Sequence, residues 1–165
     1  MIFLSAMRYD PDIHHRRSIR LKGWDYSSGG SYFVTICSWQ KECIFLDEGI
    51  RQIACEEWET IPRNNPKIRL DEYVLMPNHL HAIIWIEKVA NNKGLSLGNL
   101  IRGFKSKTAV RINKFRNTIG TPVWQRNFYE RIIRNENELD AIKTYIKENP
   151  LKWTEDEENP EIIKT

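Results

Sequence analysis

The triplet His79-Leu80-His81 is the part of the chain best suited to chemistry. On an extended strand residues i and i+2 face the same way. The two imidazoles then stand side by side, and Leu80 enters the opposite layer. Two neutral imidazoles fixed on a strand can share one divalent cation. They can equally be two hydrogen-bonded histidines at a strand end, and the triplet alone leaves both readings open. A metal site needs further ligands. His14 and His15 could complete a set of imidazoles of the kind a zinc hydrolase uses. Tyr145 and Asn149 offer a different solution, since a spacing of four puts them one turn apart on one helical face. Tyr145 also suits a half-buried ring with a wetted hydroxyl, and Asn149, just before Pro150, suits a helix C-cap.

A second chemical signal is charge. Between Ser96 and Ile119 stand Arg102, Lys105, Lys107, Arg111, Lys114 and Arg116, with no acidic residue among them. A solvated helix ordinarily mixes signs to gain i,i+4 pairs; a helix of one sign suits phosphate contacts. Basic and aromatic residues then mix in Trp124-Gln125-Arg126-Asn127-Phe128-Tyr129, with Arg131 and Arg134 following, a composition suited to single-stranded nucleic acid. The polar first thirty residues add Arg16, Arg17 and Arg20. The whole chain carries +3, but its last twelve residues alone carry −4, leaving 24 basic and 17 acidic residues, +7, in the rest. Such a body prefers a polyanion, and the acidic end reads as a solvated, frayed tail.

These residues need elements to position them. At 165 residues, 41% apolar and 28% charged, the chain has the composition of one globular domain, which excludes a disordered chain, a coiled coil or a collagen-like repeat. No apolar run is long enough for a membrane span, and the first residues lack the basic region of a signal peptide. Met7 is an alternative start. Cys37, Cys43 and Cys55, odd in number and without C-x-x-C spacing, read as reduced thiols of a cytoplasmic protein. After an irregular basic segment (1–30), Tyr32 to Cys37 reads as a strand and Asp47 to Ile61 as a helix. Ile68 to Leu75 and His79 to Glu87 read as a hairpin about Met76-Pro77-Asn78. Ser96 caps a helix reaching about Asn117, Val123 to Ile133 holds a fourth strand, and Asn135 opens a last helix ending near Asn149-Pro150. The order β-α-β-β-α-β plus a helix predicts an α+β, ferredoxin-like split β-α-β antiparallel sheet, with helices on one face and the extra C-terminal helix carrying Tyr145. One domain, 1–153, precedes the acidic tail, 154–165. On β3 the alternation sets Leu80, Ala82, Ile84 and Ile86 on one face and His79, His81, Ile83 and Trp85 on the other.

The stretch Val74-Leu75-Met76-Pro77-Asn78-His79-Leu80-His81, followed by Ile83-Ile84-Trp85, resembles the His-hydrophobic-His strand of the HUH single-tyrosine transposases, most closely their REP-associated branch. Four other blocks carry the resemblance: Arg17 to Gly23 through Tyr32 to Cys37; Phe104-Lys105-Ser106; Pro122 to Tyr129; and Ile132 to Glu136 running into Tyr145-Ile146-Lys147-Glu148-Asn149-Pro150. The resemblance implies single-stranded or hairpin DNA as substrate and Mg²⁺ or Mn²⁺ held by His79 and His81. It implies Tyr145 as nucleophile, and Asn149 as a third metal ligand. Attack would give a 5′-phosphotyrosine link and a free 3′-hydroxyl, keeping the bond energy for strand transfer, in keeping with the absence of a G-x-x-x-x-G-K-[ST] loop. Lys147 and Arg134 are candidates to favour the phenolate, and Tyr129 is the competing tyrosine. The expected protein is a DNA nickase and strand transferase, a monomer or homodimer. A non-catalytic nucleic-acid-binding module on the same fold and a small zinc hydrolase are the alternatives.

Overall fold

Four segments rich in β-branched and aromatic residues pair into one antiparallel sheet: β1 (Gly30–Cys37), β2 (Ile68–Leu75), β3 (His79–Ile86) and β4 (Tyr129–Ile133), in the order β2-β3-β1-β4. The computed structural model describes residues 29–87 and 95–162. Between the strands lie α1 (Glu48–Glu59), the single turn α2 (Ile61–Asn64), α3 (Leu97–Phe115) and, after β4, α4 (Glu136–Glu148). This is the split β-α-β sheet that the element order predicts, with the extra helix.

The alternation on β3 holds along its length. Leu80, Ala82, Ile84 and Ile86 join Trp58 of α1 and Leu100, Ile101, Phe104 and Ile112 of α3 in the larger core. Ile83, with Phe33 and Ile133, packs on the opposite face against Ile142 and Ile146 of α4. The central strands are therefore covered on both sides, and nearly every residue of β1 and β3 is buried. His79 and His81 share the α4 side, which is what sets Tyr145 over them.

Two sequence details fix α4 in place. In β2 the apolar phase switches from Ile68 and Leu70 to Tyr73 and Leu75. A register shift between Leu70 and Tyr73 absorbs the extra residue and returns both pairs to the main core. The acidic pair at this bulge is then free to face α4: Asp71 Oδ1 meets Lys143 Nζ at 3.0 Å, and Glu72 Oε1 meets Lys147 Nζ at 3.0 Å. At the other end of α4, Asn135 Oδ1 accepts the Glu138 backbone N–H at 2.8 Å, an N-cap. Asp47 and Ser96 cap α1 and α3 in the same way.

Three expectations change. The fourth strand starts at Tyr129 rather than Val123: Trp124 makes only an isolated bridge to Ser38, and the chain after it bends round Lys105 Nζ, which donates to the carbonyls of Gln125 and Asn127 at 2.8 and 2.9 Å. The first helix ends at Glu59, and Pro62 lies in the first positions of the separate turn α2, which Ile61 opens. The third concerns the acidic tail, expected to be solvated. Asn149–Glu155 instead forms a 3₁₀ helix, and the following residues turn back over the end of the sheet. There Glu158 Oε2 pairs with Lys41 Nζ at 2.8 Å, the Glu158 carbonyl accepts from Asn78 at 2.7 Å, and Asn159 is buried. The tail has partners, so its charge does not drive it into water. The three cysteines are free thiols, and among the described residues no helix is long and apolar enough to cross a membrane.

Candidate metal centre and nucleophile

The site lies at the end of the sheet where the β2–β3 hairpin turns. Cys37 stands opposite His79 and Thr35 opposite His81 in the β1–β3 register. His79 is fully buried, and His81 is 4% exposed. Their Nε2 atoms are 3.0 Å apart. His81 Nδ1 is 2.8 Å from Thr35 Oγ1, and His79 Nδ1 is 2.8 Å from Asn78 Oδ1. The amide of Asn78 donates from Nδ2 to the carbonyls of Lys41 and Glu158, so its Oδ1 is the acceptor and His79 Nδ1 carries the proton. His79 therefore presents a lone pair at Nε2. His81 does the same whenever Thr35 accepts from its Nδ1–H, and a hydroxyl can play that part.

Burial holds both imidazoles neutral. It pushes His81 down to about 3 and takes His79 well below its ordinary value, with the neighbouring His81 and Lys41 adding to the fall at His79. Neutral imidazole is the form that binds metal.

Tyr145 reaches the site from α4. Ile142 and Ile146 bury the inner face of that helix, and Tyr145, one position round, sits at its edge with 45% of its surface exposed. Its ring packs edge-on against Phe33 and His81, and its hydroxyl is 3.3 Å from His81 Nε2. Burial raises the phenol above its ordinary value, and the Asp156 carboxylate adds to the rise; the Asn149 side chain works against it. Neither expected cationic helper is at hand: Lys147 is paired with Glu72, and Arg134 is an exposed residue at the end of β4.

Asn149 continues from α4 with only 4% of its surface exposed, and its Oδ1 is buried without a hydrogen bond. Asp156, which the sequence reading missed, also joins the group. One ligand atom from each of His79, His81 and Asp156 lies within 4.8 Å of the others. Burial raises its carboxyl. Trp153 leans over His79, with ring centroids 6.2 Å apart.

These donors suit a divalent cation. Around a cation with bonds of about 2.1 Å, neighbouring ligands lie about 3.0 Å apart and opposite ones about 4.2 Å. The 3.0 Å between the two Nε2 atoms has the neighbouring spacing, and the 3.8 Å from His79 Nε2 to Asp156 Oδ2 lies between the two. The lone pair on His79 Nε2, a second on His81 Nε2 when Thr35 accepts from Nδ1, and the buried oxygens Asn149 Oδ1 and Asp156 Oδ2 make a site rich in acceptors, the chemistry a cation satisfies. The Tyr145 hydroxyl and the Asn149 amide are the donors beside it.

The expected nucleic-acid residues divide. Lys105 and Arg111 are engaged internally: burial pushes the Lys105 ammonium down to about 8 against its carbonyls, and Arg111 pairs with Glu56 and Glu57, tying α3 to α1. Arg102, Lys107 and Lys114 are exposed on α3, which covers the sheet face opposite the imidazoles. Arg126 is exposed beside Gln125, whose N–H bonds the Cys37 carbonyl at the site's end of β1. Tyr129, opposite Thr35 at the start of β4, packs edge-on against Phe33 of β1. Arg16, Arg17 and Arg20, with His14 and His15, lie outside the described residues.

Both the sequence and the split β-α-β fold have counterparts among known proteins. Residues 28–149 match the family described as Transposase IS200 like, and the chain belongs to that family. An uncharacterized protein of Haemophilus influenzae is 41% identical over 175 residues, spanning 91% of this chain and 96% of its own. A second protein of that organism, provisionally named a REP-associated tyrosine transposase, is 26% identical over 78% of this chain and 74% of its own length. The fold matches that of a REP-associated tyrosine transposase solved bound to a REP hairpin, with a TM-score of 0.63 and 21% identity over 78% of this chain and 71% of the other.

Proposed function

We propose that this transposase-family protein is a metal-dependent single-stranded DNA endonuclease and strand transferase, acting on hairpin or repeat DNA through a 5′-phosphotyrosine intermediate. The observation that carries the reading is the convergence of Tyr145 Oη, 3.3 Å from His81 Nε2, with the two imidazole nitrogens 3.0 Å apart. His79 and His81 would hold Mg²⁺ or Mn²⁺ with Asn149, and when bound that cation supplies positive charge to the scissile phosphate and to the adjacent phenol. That contribution matters because no described cationic side chain among the expected helpers stands at Tyr145. Asn78 fixes the His79 proton on Nδ1, away from the site, and the Thr35 hydroxyl can accept the His81 proton in the same way. Tyr145 Oη, having lost its proton, attacks phosphorus. The P–O3′ bond breaks, the 3′-oxygen leaves as a hydroxyl after taking a proton, and the 5′-phosphate stays on Tyr145. A second 3′-hydroxyl can reverse the step and join new strands, so no nucleotide cofactor is needed. Hairpin DNA, the ligand of the similar solved transposase, suits the exposed Arg126, and Arg102, Lys107 and Lys114 supply phosphate contacts further off.

The test is a denaturing gel with 5′-end- and internally labelled hairpin DNA, Mg²⁺ or Mn²⁺, and the full chain. A covalent adduct is expected for the native protein, and none for Tyr145→Phe or for His79→Ala with His81→Ala. Binding without an adduct under any metal would favour a recognition module, and zinc-dependent hydrolysis untouched by Tyr145→Phe would favour a hydrolase.

A further inference from the structure

The two oxygens of Asp156 have different surroundings. Oδ1 accepts the Glu158 backbone N–H at 2.7 Å, closing a turn. Oδ2 is buried without a hydrogen bond and lies 3.8 Å from His79 Nε2. That nitrogen carries a lone pair, because Nδ1 of the same ring donates to Asn78. Acceptor faces acceptor where the two side chains are 0% and 6% exposed. His81 Nε2 makes a third ligand atom within 4.8 Å of both; the Tyr145 hydroxyl can donate to it, but among the described residues no donor stands between His79 Nε2 and Asp156 Oδ2.

We propose that Asp156 is a carboxylate ligand of the divalent cation, so that metal binding and docking of the C-terminal segment 149–162 are one event. The proposal rests on the metal reading of His79 and His81 given above. The segment is built to present this carboxylate. Lys41 Nζ holds Glu158, Trp153 covers His79, and Asn159 Nδ2 donates to the Trp153 carbonyl at 3.0 Å. Asn78 links the two halves, since its Oδ1 orients His79 and its Nδ2 holds the Glu158 carbonyl. An anionic oxygen added to two imidazoles increases the preference for hard cations such as Mg²⁺ and Mn²⁺. A carboxylate on the tail therefore sets both the affinity of the site and the order of the segment that closes its end.

The experiment titrates Mn²⁺ alone into the full DNA-free chain, reading free Mn²⁺ by electron paramagnetic resonance and the amides of residues 150–162 by hydrogen exchange. Asp156→Asn keeps the turn acceptor and removes the charge. It is expected to weaken Mn²⁺ binding by about tenfold or more, on the scale of ligand-shell losses. It should also abolish the metal-dependent protection of 156–162 and leave the metal-free melting temperature at or above that of the native chain. Asp156→Glu, which keeps the charge, is expected to retain more affinity than Asp156→Asn. Native affinity in Asp156→Asn, with binding lost in the His79→Ala, His81→Ala chain, overturns the ligand role and leaves the metal reading intact. No saturable Mn²⁺ binding by the native chain overturns both. Weakened binding with an equally weakened metal-free fold in both Asp156 variants assigns Asp156 to folding and also overturns the proposal.

Discussion

Replacing Thr35 by valine removes one hydroxyl from the centre of the sheet and keeps the branched shape of the side chain. Thr35 is 8% exposed, and its Oγ1 is the partner of His81 Nδ1 at 2.8 Å. A buried nitrogen left without a partner costs about 1–3 kcal/mol. For a chain of this size that lowers the melting temperature by about 2–12 °C, at about 2–4 °C per kcal/mol. The second consequence is chemical. Without an acceptor at Nδ1, His81 is free to carry its proton on Nε2, the nitrogen that faces His79, and metal binding must then remove it. Loss of such an orienting partner weakens metal binding about 10–100-fold. Thermal melts of the metal-free chain and calorimetric titration with Mn²⁺ read the two effects separately. Nicking should fall at low metal and recover as the metal is raised. Native metal affinity in Thr35→Val, with or without a loss of stability, would refute the argument that Thr35 sets the tautomer of His81.

Four other outcomes are expected. Tyr145→Phe should cost about 1 kcal/mol of stability, the scale of the one hydrogen bond its hydroxyl makes to His81 Nε2, while hairpin binding in a filter assay stays near native. Ile146→Ala, at a site 1% exposed beneath α4, should cost about 2–5 kcal/mol in denaturant melts and reduce adduct formation by loosening the helix that carries the nucleophile. The metal-free chain should lose stability as pH falls below about 6.5, the unfolded histidine value, because the unfolded chain takes up protons that buried His79 and His81 refuse. Each contributes about 1.4 kcal/mol per pH unit, down to about 3 for His81, with the raised Asp156 carboxyl acting in the opposite sense as it protonates; melts from about pH 8 to 5 measure it. Arg126→Ala should lower hairpin affinity and reduce the slope of log affinity against log salt by about 0.7, and an unchanged slope would remove Arg126 from the phosphate contacts.

What the sequence revealed follows from which interactions are local. Strand alternation told which face of β3 carries His79 and His81, because period two is a property of the backbone and both faces of the sheet are covered. The stripe Leu139, Ile142 and Ile146 set Tyr145 at the edge of its helix for the same reason. The segment Ile68 to Leu75 reads as an ordinary strand, and it is the structure that shows the bulge between Leu70 and Tyr73 aiming Asp71 and Glu72 at α4. Thr35 and Asn78 gave no sign of their part either, since only the β1–β3 register and the hairpin turn bring them to the imidazoles. Charge type also says nothing of a partner. Lys105 and Arg111 looked like phosphate ligands and serve a loop and a neighbouring helix, and the acidic end looked solvated although Asp156 and Glu158 dock at the site.

The central claim is that Tyr145 takes the 5′-phosphate of a cleaved strand beside a cation on His79 and His81. Digesting the covalent product with nuclease and protease, and locating the nucleotide by mass spectrometry, tests it most directly. The account predicts a nucleotide on the peptide containing Tyr145, formed only with Mg²⁺ or Mn²⁺ and lost when both histidines are replaced by alanine. A nucleotide on Tyr129, or the same Tyr145 adduct formed without metal, would contradict it.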